Sequence, residues 1–171
     1  MTIATMRANL TDADIRTLVK GPTEQERARA AHKICRCIDE GELREAERAH
    51  AQSILAIMAD DAAVLVRRAL AVALKNSPSL PHDIANKLAR DVDTIALPVI
   101  LNSPALTDSD LVEIVRSSPP SKQVAVAGRE TLTTEVTGAL AKFAVPEAVE
   151  RALAGDRILD RVRRRRTDEM A

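Results

Sequence analysis

The sequence predicts an all-α fold: a right-handed superhelical stack of short helix pairs, with about 26 residues per repeat. Three observations predict it. Asn76-Ser77-Pro78-Ser79-Leu80 recurs as Asn102-Ser103-Pro104-Ala105-Leu106, and more weakly as Gly128-Arg129-Glu130-Thr131-Leu132. Three apolar registers obey the same shift: Leu80, Leu106 and Leu132; Leu88, Ile114 and Leu140; Leu74, Ile100 and Val126. No segment reads as a convincing strand, because the β-branched residues fall at helical spacing between helix caps. A fixed period of this length marks units that bury their apolar faces only against their neighbours.

The elements follow in order. Leu10-Thr11-Asp12-Ala13-Asp14-Ile15 opens the first helix, with Thr11 as N-cap and Asp14 completing a capping box. Leu106-Thr107-Asp108-Ser109-Asp110-Leu111 repeats that signal. The first helix should end before Gly21-Pro22. Thr23 caps a second helix running to about Asp39 and stopping at Gly41, with Ala30, Ala31, Ile34, Cys37 and Ile38 as its apolar stripe. A third helix should run from Glu42 to about Asp60 and bury Leu43, Ala46, His50, Ile54, Ile57 and Met58. Ala62–Leu74 is apolar nearly all round except Arg67 and Arg68, which predicts a helix buried between layers. Inner helices are then expected at Thr94–Leu101 and Ser121–Ala127, and outer helices at about Pro81–Arg90, Thr107–Arg116 and Thr133–Phe143. Pro78 and Pro104 should end inner helices, since proline disfavours helical geometry in the residue before it. Pro98 should bend or shorten its helix by removing a donor. Pro146–Ala154 reads as the inner helix of an incomplete unit, stopped by Gly155. The expected organisation is one helical-repeat domain over residues 1–155, with N-terminal helices at 1–61 and repeats at 62–155, followed by an Arg-rich helix or tail at 156–171.

Composition excludes several classes. The 46% hydrophobic content supports a core, and 25 basic against 25 acidic side chains weakens a general nucleic-acid or membrane-surface binder, which needs a basic excess. Phe143 is the single aromatic residue, so bases would lack stacking platforms. Cys35 and Cys37 offer no disulfide framework and fit a reducing compartment. No signal peptide is visible at the N-terminus. The longest nearly apolar run, Ile54–Met58, is far too short to span a bilayer. The expected location is cytoplasmic.

Candidate chemistry is sparse. His32, Cys35, Cys37 and His50 are the residues of zinc-ligating type, and a zinc site needs about four of them converging. Successive helix residues turn by about 100°, so Cys35 and Cys37 point to nearly opposite sides. They are expected as a flank Cys35 and a core Cys37, with His32 at the surface and no metal bound. Asp12 with Asp14 and Asp108 with Asp110 sit in helix first turns, where carboxylates offset the dipole; Asp60 with Asp61 is a third pair. His82 is adjacent to Asp83, but neighbours on a helix do not face each other. There is neither a phosphate-binding glycine loop nor a serine nucleophile motif. No enzyme, catalytic residue or cofactor is expected. Arg161, Arg163, Arg164, Arg165 and Arg166 are the candidate contacts to phosphate or an acidic partner, weighed against a solvated terminus.

The stretch Val66-Arg67-Arg68-Ala69-Leu70-Ala71, then Asn76-Ser77-Pro78, Leu88-Ala89-Arg90-Asp91, Ala96–Leu101 and Ser103–Arg116, resembles the bacterial family called domain of unknown function 2336. It is also similar to leucine-rich-repeat-variant and HEAT-like helical repeats. The resemblance covers roughly Gly41–Ala154 and implies a curved α-solenoid of helix pairs with no assigned activity. Some leucine-rich-repeat-variant proteins carry an iron–sulfur cluster, but Cys35 and Cys37 cannot supply the usual set of ligands. Members of the unknown-function family tend to be longer than this chain. The expected role is a protein–protein interaction scaffold. Self-association is expected through the C-terminal end, where Ile158, Leu159 and Val162 would cap an apolar edge. The alternative is a HEAT-like nucleic-acid binder using the Arg-rich tail; no membrane partner is expected.

Overall fold

The computed structural model describes residues 12–41 and 45–155, and among them every regular element is a helix. The helices are α1 Asp12–Lys20, α2 Glu24–Glu40, α3 Glu45–Ala59, α4 Val64–Leu74, α5 His82–Ala89, α6 Asp93–Asn102, α7 Asp108–Ser117, α8 Pro120–Ala127 and α9 Thr134–Phe143; α10 covers residues 146–155. Contacts divide them into two compact units, one reaching to Leu106 and one beginning at Thr107.

In the first unit, α2 packs on α1 and α4, α4 also meets α3 and α6, and α5 packs on α3 and α6. Thr23 caps α2 through a complete capping box with Glu26, and Gly41 closes its C-terminus. The core joins Ile34, Leu55, Met58, Val66, Leu70, Leu74, Leu88, Ile95 and Ile100, all fully enclosed or nearly so. In the second unit, α7 packs on α8 and α9 around Leu111, Ile114, Val126, Val136 and Leu140. Thr107 and Asp110 form the second capping box: Asp110 Oδ2 accepts the Thr107 N–H at 2.7 Å and its hydroxyl at 2.6 Å, and Thr107 Oγ1 accepts the Asp110 N–H. Leu74, Ile100 and Val126 are buried, as are Leu88, Ile114 and Leu140. Leu80 and Leu106 are buried too, whereas Leu132 is half-buried.

The structure corrects four details. On α3 the enclosed side chains are Ala51, Leu55, Met58 and Ala59, while His50 and Ile57 are exposed and Ile54 half-buried. Residues 54–58 are apolar without interruption, so two stripes one residue apart satisfy the same periodicity. The Leu43 and Ala46 expectations lie outside the described side chains. On α2 the cysteines exchange roles: Cys35 is fully enclosed and Cys37 half-buried, because Ala31, Ile34, Cys35 and Ile38 stack at the i, i+3, i+4, i+7 spacing of one face. Helix α4 is one-sided, with Val64 and Val72 exposed opposite Val66 and Leu70. Pro98 does not shorten α6, which continues to Asn102, whose side-chain amide donates to the Pro98 carbonyl at 2.9 Å. The Thr11 cap and Leu10 staple lie outside the described residues.

Candidate functional site

The first candidate is a groove of about 670 Å³ in the first unit, beside the end of α2, the face of α3 and the α4–α5 turn. Its floor is apolar and enclosed: Ile38, Leu55 and Leu80. Arg48, Gln52 and Ser79 line it from exposed positions. Neither Arg48 nor Gln52 bonds a described residue, so their donors face solvent at the mouth.

The Asn-Ser-Pro sequence builds one wall. Pro78 cannot donate a backbone N–H, and the chain turns there with the Ser77 N–H bonding the Leu74 carbonyl at 3.0 Å. Ser77 is buried; its hydroxyl donates to Asp39 on α2 and accepts the Ser79 N–H. One side chain thus fixes the turn internally and ties it to α2. Ser103 shapes its own turn in the same way, accepting the Ala105 N–H at 3.2 Å.

A chain of bidentate ion pairs stiffens the opposite part of this unit. Arg27 on α2 donates through Nε and a terminal nitrogen to Asp61 at 3.0 and 3.2 Å. Asp61 also accepts the Ala63 N–H at 2.8 Å, and its main-chain carbonyl accepts from Arg67 at 2.8 Å. Arg67 on α4 then grips Asp91 at 2.6 and 3.1 Å. Burial opposes the charge on Asp61, but the Arg27 bonds, the Ala63 N–H and the nearby guanidinium charges outweigh it and hold its carboxyl below the ordinary carboxylate range. A depressed folded-state value contributes stability above the unfolded pKa of about 3.9, and that contribution disappears as pH falls through the folded value. Asp61→Asn should therefore melt at lower temperature than wild type near neutrality, with the two melting curves converging in strong acid. Thermal unfolding followed by circular dichroism across pH checks this.

The second candidate is a surface on the second unit. Phe143 at the end of α9 is 41% exposed. Arg116 Cζ lies 5.0 Å from its ring centre and Lys142 Nζ 5.2 Å, within cation–π range. Both cations are exposed and neither pairs with a described carboxylate. Nearby in sequence, burial lowers the pKa of half-buried Arg129 while Asp108 opposes that shift. Gly128 closes α8 where Arg151 crosses it: an added Cβ would come within 2.8 Å of the Arg151 Nε.

The residues singled out from the sequence do not converge. His32 and His50 are exposed, and no group of three His, Cys, Asp or Glu among the described residues is arranged to hold a metal. The Cys35 thiol meets the Met58 sulfur at 3.8 Å; burial, with Asp39's charge adding to it, pushes the thiol up to about 12. Thiolate is the reactive form, so iodoacetamide should alkylate native Cys37 well before Cys35, with equal labelling after unfolding; peptide mass spectrometry reads the order. Four members of the acidic pairs are engaged structurally: Asp14 with Lys33 at 2.8 Å, Asp60 with Lys87, Asp61 with Arg27, and Asp110 in its cap; the Asp12 side chain lies outside the described ones. Arg161, Arg163, Arg164, Arg165 and Arg166, together with Ile158, Leu159 and Val162, lie outside the described residues. No described helix is long and apolar enough to cross a membrane.

Residues 95–159 match the family model described as an uncharacterised protein conserved in bacteria, domain of unknown function 2336, so the resemblance holds over that stretch, which includes the Phe143 surface. No curated protein and no solved structure matches the chain.

Proposed function

We propose that the chain is a helical-repeat protein-interaction module whose first-unit groove accepts an extended segment of a partner protein. The groove itself carries this reading: it is concave, its floor is apolar, and its unpaired polar groups are few and sit at the mouth, the usual composition of a binding cleft. An apolar side chain of the partner would cover Ile38, Leu55 and Leu80, while Arg48 and Gln52 meet a carboxylate and a main-chain carbonyl. The Ser77 bond to Asp39 holds the wall in place before binding, which lowers the ordering cost.

The finer repeat reading supports the same role. Helices α5, α7 and α9 begin at residues 82, 108 and 134, and α8 and α10 begin at 120 and 146, each series stepping by 26. Successive helix pairs as copies of one unit would explain both the spacing and the recurring serine turns. The nucleic-acid alternative has less support: Arg27 and Arg67 of the first unit are already engaged by aspartates.

A displayed-peptide selection on the purified chain tests the proposal. Selected sequences should converge on an apolar residue beside an acid. Their affinity should fall about tenfold in Arg48→Glu and in Ser79→Trp, yet remain unchanged in Phe143→Ala. Failure to converge, or binding indifferent to both groove substitutions, overturns it.

A further inference from the structure

We propose that Arg116, Lys142 and Phe143 form a second docking surface, independent of the groove, for an acidic segment of a protein partner. Three observations carry it. First, the chain's single aromatic residue is left substantially exposed at the end of a helix, although α9 buries Val136, Ala139 and Leu140 on its other side. Aromatic and arginine side chains are the residue types that most often dominate binding energy at interfaces. Second, two cations are held against one ring without an ion-pair partner among the described residues. The ring holds both head groups near one spot, and a carboxylate that reaches either gains an ion pair that no described residue supplies. Third, residues 107–171 carry eleven acidic side chains against eleven basic ones, so the two cations are not part of a basic excess. An extended polyanion such as nucleic acid or an anionic bilayer needs such an excess. A short peptide with one or two carboxylates meets only the two cations, and its apolar side chain can rest on the exposed ring edge. Local charge complementarity therefore selects an acidic peptide over the larger anions.

The test uses the whole chain, isotope-labelled, titrated with a peptide in which glutamate and leucine alternate. Its counterpart in which glutamine and leucine alternate is the control, and a single-stranded oligonucleotide and phosphatidylserine vesicles are the competing anions. The glutamate peptide should shift resonances of Phe143, Arg116 and Lys142, and should weaken as salt rises. Arg116→Glu and Lys142→Glu should each lower its affinity about tenfold, and a lysine–leucine peptide should bind the double reversal better than it binds wild type. Both substituted positions are exposed, and unchanged circular dichroism establishes that the variants are folded. Equal binding of the glutamine peptide, indifference to both charge reversals, or stronger binding of the oligonucleotide or vesicles at these three residues overturns the proposal. Retention of this binding in Arg48→Glu separates it from the groove.

Discussion

Leu70→Ala is expected to remove about 2–5 kcal/mol of unfolding free energy, the range for a fully buried leucine truncated to alanine. Leu70 sits in the middle of α4 with no solvent exposure. That helix touches α2, α3 and α6, so the vacated volume would be bordered by several elements at once. The surroundings are poor at closing it. The enclosed positions of α2, α3 and α4 include Ala31, Ala59 and Ala71, whose side chains have no rotamers with which to reach inward, and none of these helices carries an aromatic ring. The cost should therefore lie toward the upper half of the range. Val72→Ala on the same helix is the internal control: Val72 is 43% exposed, and its truncation should cost no more than about 0.5 kcal/mol. Urea unfolding followed by far-ultraviolet circular dichroism measures both, since the chain has neither tryptophan nor tyrosine to report by fluorescence. Equal effects of the two substitutions would mean that α4 does not present the described face to the interior.

Gln123 should be the most sensitive polar position. It is 7% exposed. Its amide nitrogen donates to the Val115 carbonyl at 2.9 Å, and its amide oxygen accepts the Val145 N–H at 2.9 Å. A side chain on α8 thus satisfies the end of α7 and the turn before α10. Gln123→Ala would orphan both groups, each at about 1–3 kcal/mol when buried, so a loss of about 2–6 kcal/mol is expected. Gln123→Glu distinguishes a bridging role from mere space filling. The carboxylate keeps the acceptor for Val145 but faces the Val115 carbonyl without a proton, and burial raises its pKa. A raised folded-state value favours the protonated form on folding, so Gln123→Glu should be strongly destabilised at neutral pH and recover part of the loss in mild acid. Wild type should show no such recovery. A pH-independent penalty in Gln123→Glu would show that the amide proton does not bridge.

Local chemistry made much of the fold legible. Thr23 with Glu26 and Thr107 with Asp110 announce helix starts because a cap needs only residues three apart. Proline and glycine mark the ends for equally local reasons. Facing was harder where the sequence is uniform: Ile54-Leu55-Ala56-Ile57-Met58 fits either stripe of α3, and only the packing of α4 and α5 against it decides for Leu55 and Met58. Cys35 and Cys37 differ in role because Cys35 joins the Ala31–Ile34–Ile38 face, a distinction the apolar pattern already contained. The groove was not legible, since its floor combines Ile38, Leu55 and Leu80 and its wall depends on Ser77 reaching Asp39, 38 positions away. Gln123 did leave a trace: an amide directly before the apolar run Val124–Ala127 is costly to bury unless both its ends are used. Arg67 left a similar one as the ordered exception in an apolar helix. The pairing of Arg116 with Phe143 required α7 and α9 to be set side by side, which no local signal encodes.

The link between α3 and α4 illustrates how little a connector's label says about its behaviour. Asp61 hands its carboxylate to Arg27 and to the Ala63 amide, and its peptide oxygen to Arg67. A protease must draw a stretch of backbone into extended form before it can cut, and here that would mean releasing two arginines of different helices and a bond within the link itself. The segment between two helices, ordinarily the first place a chain is nicked, should be among the last to be digested.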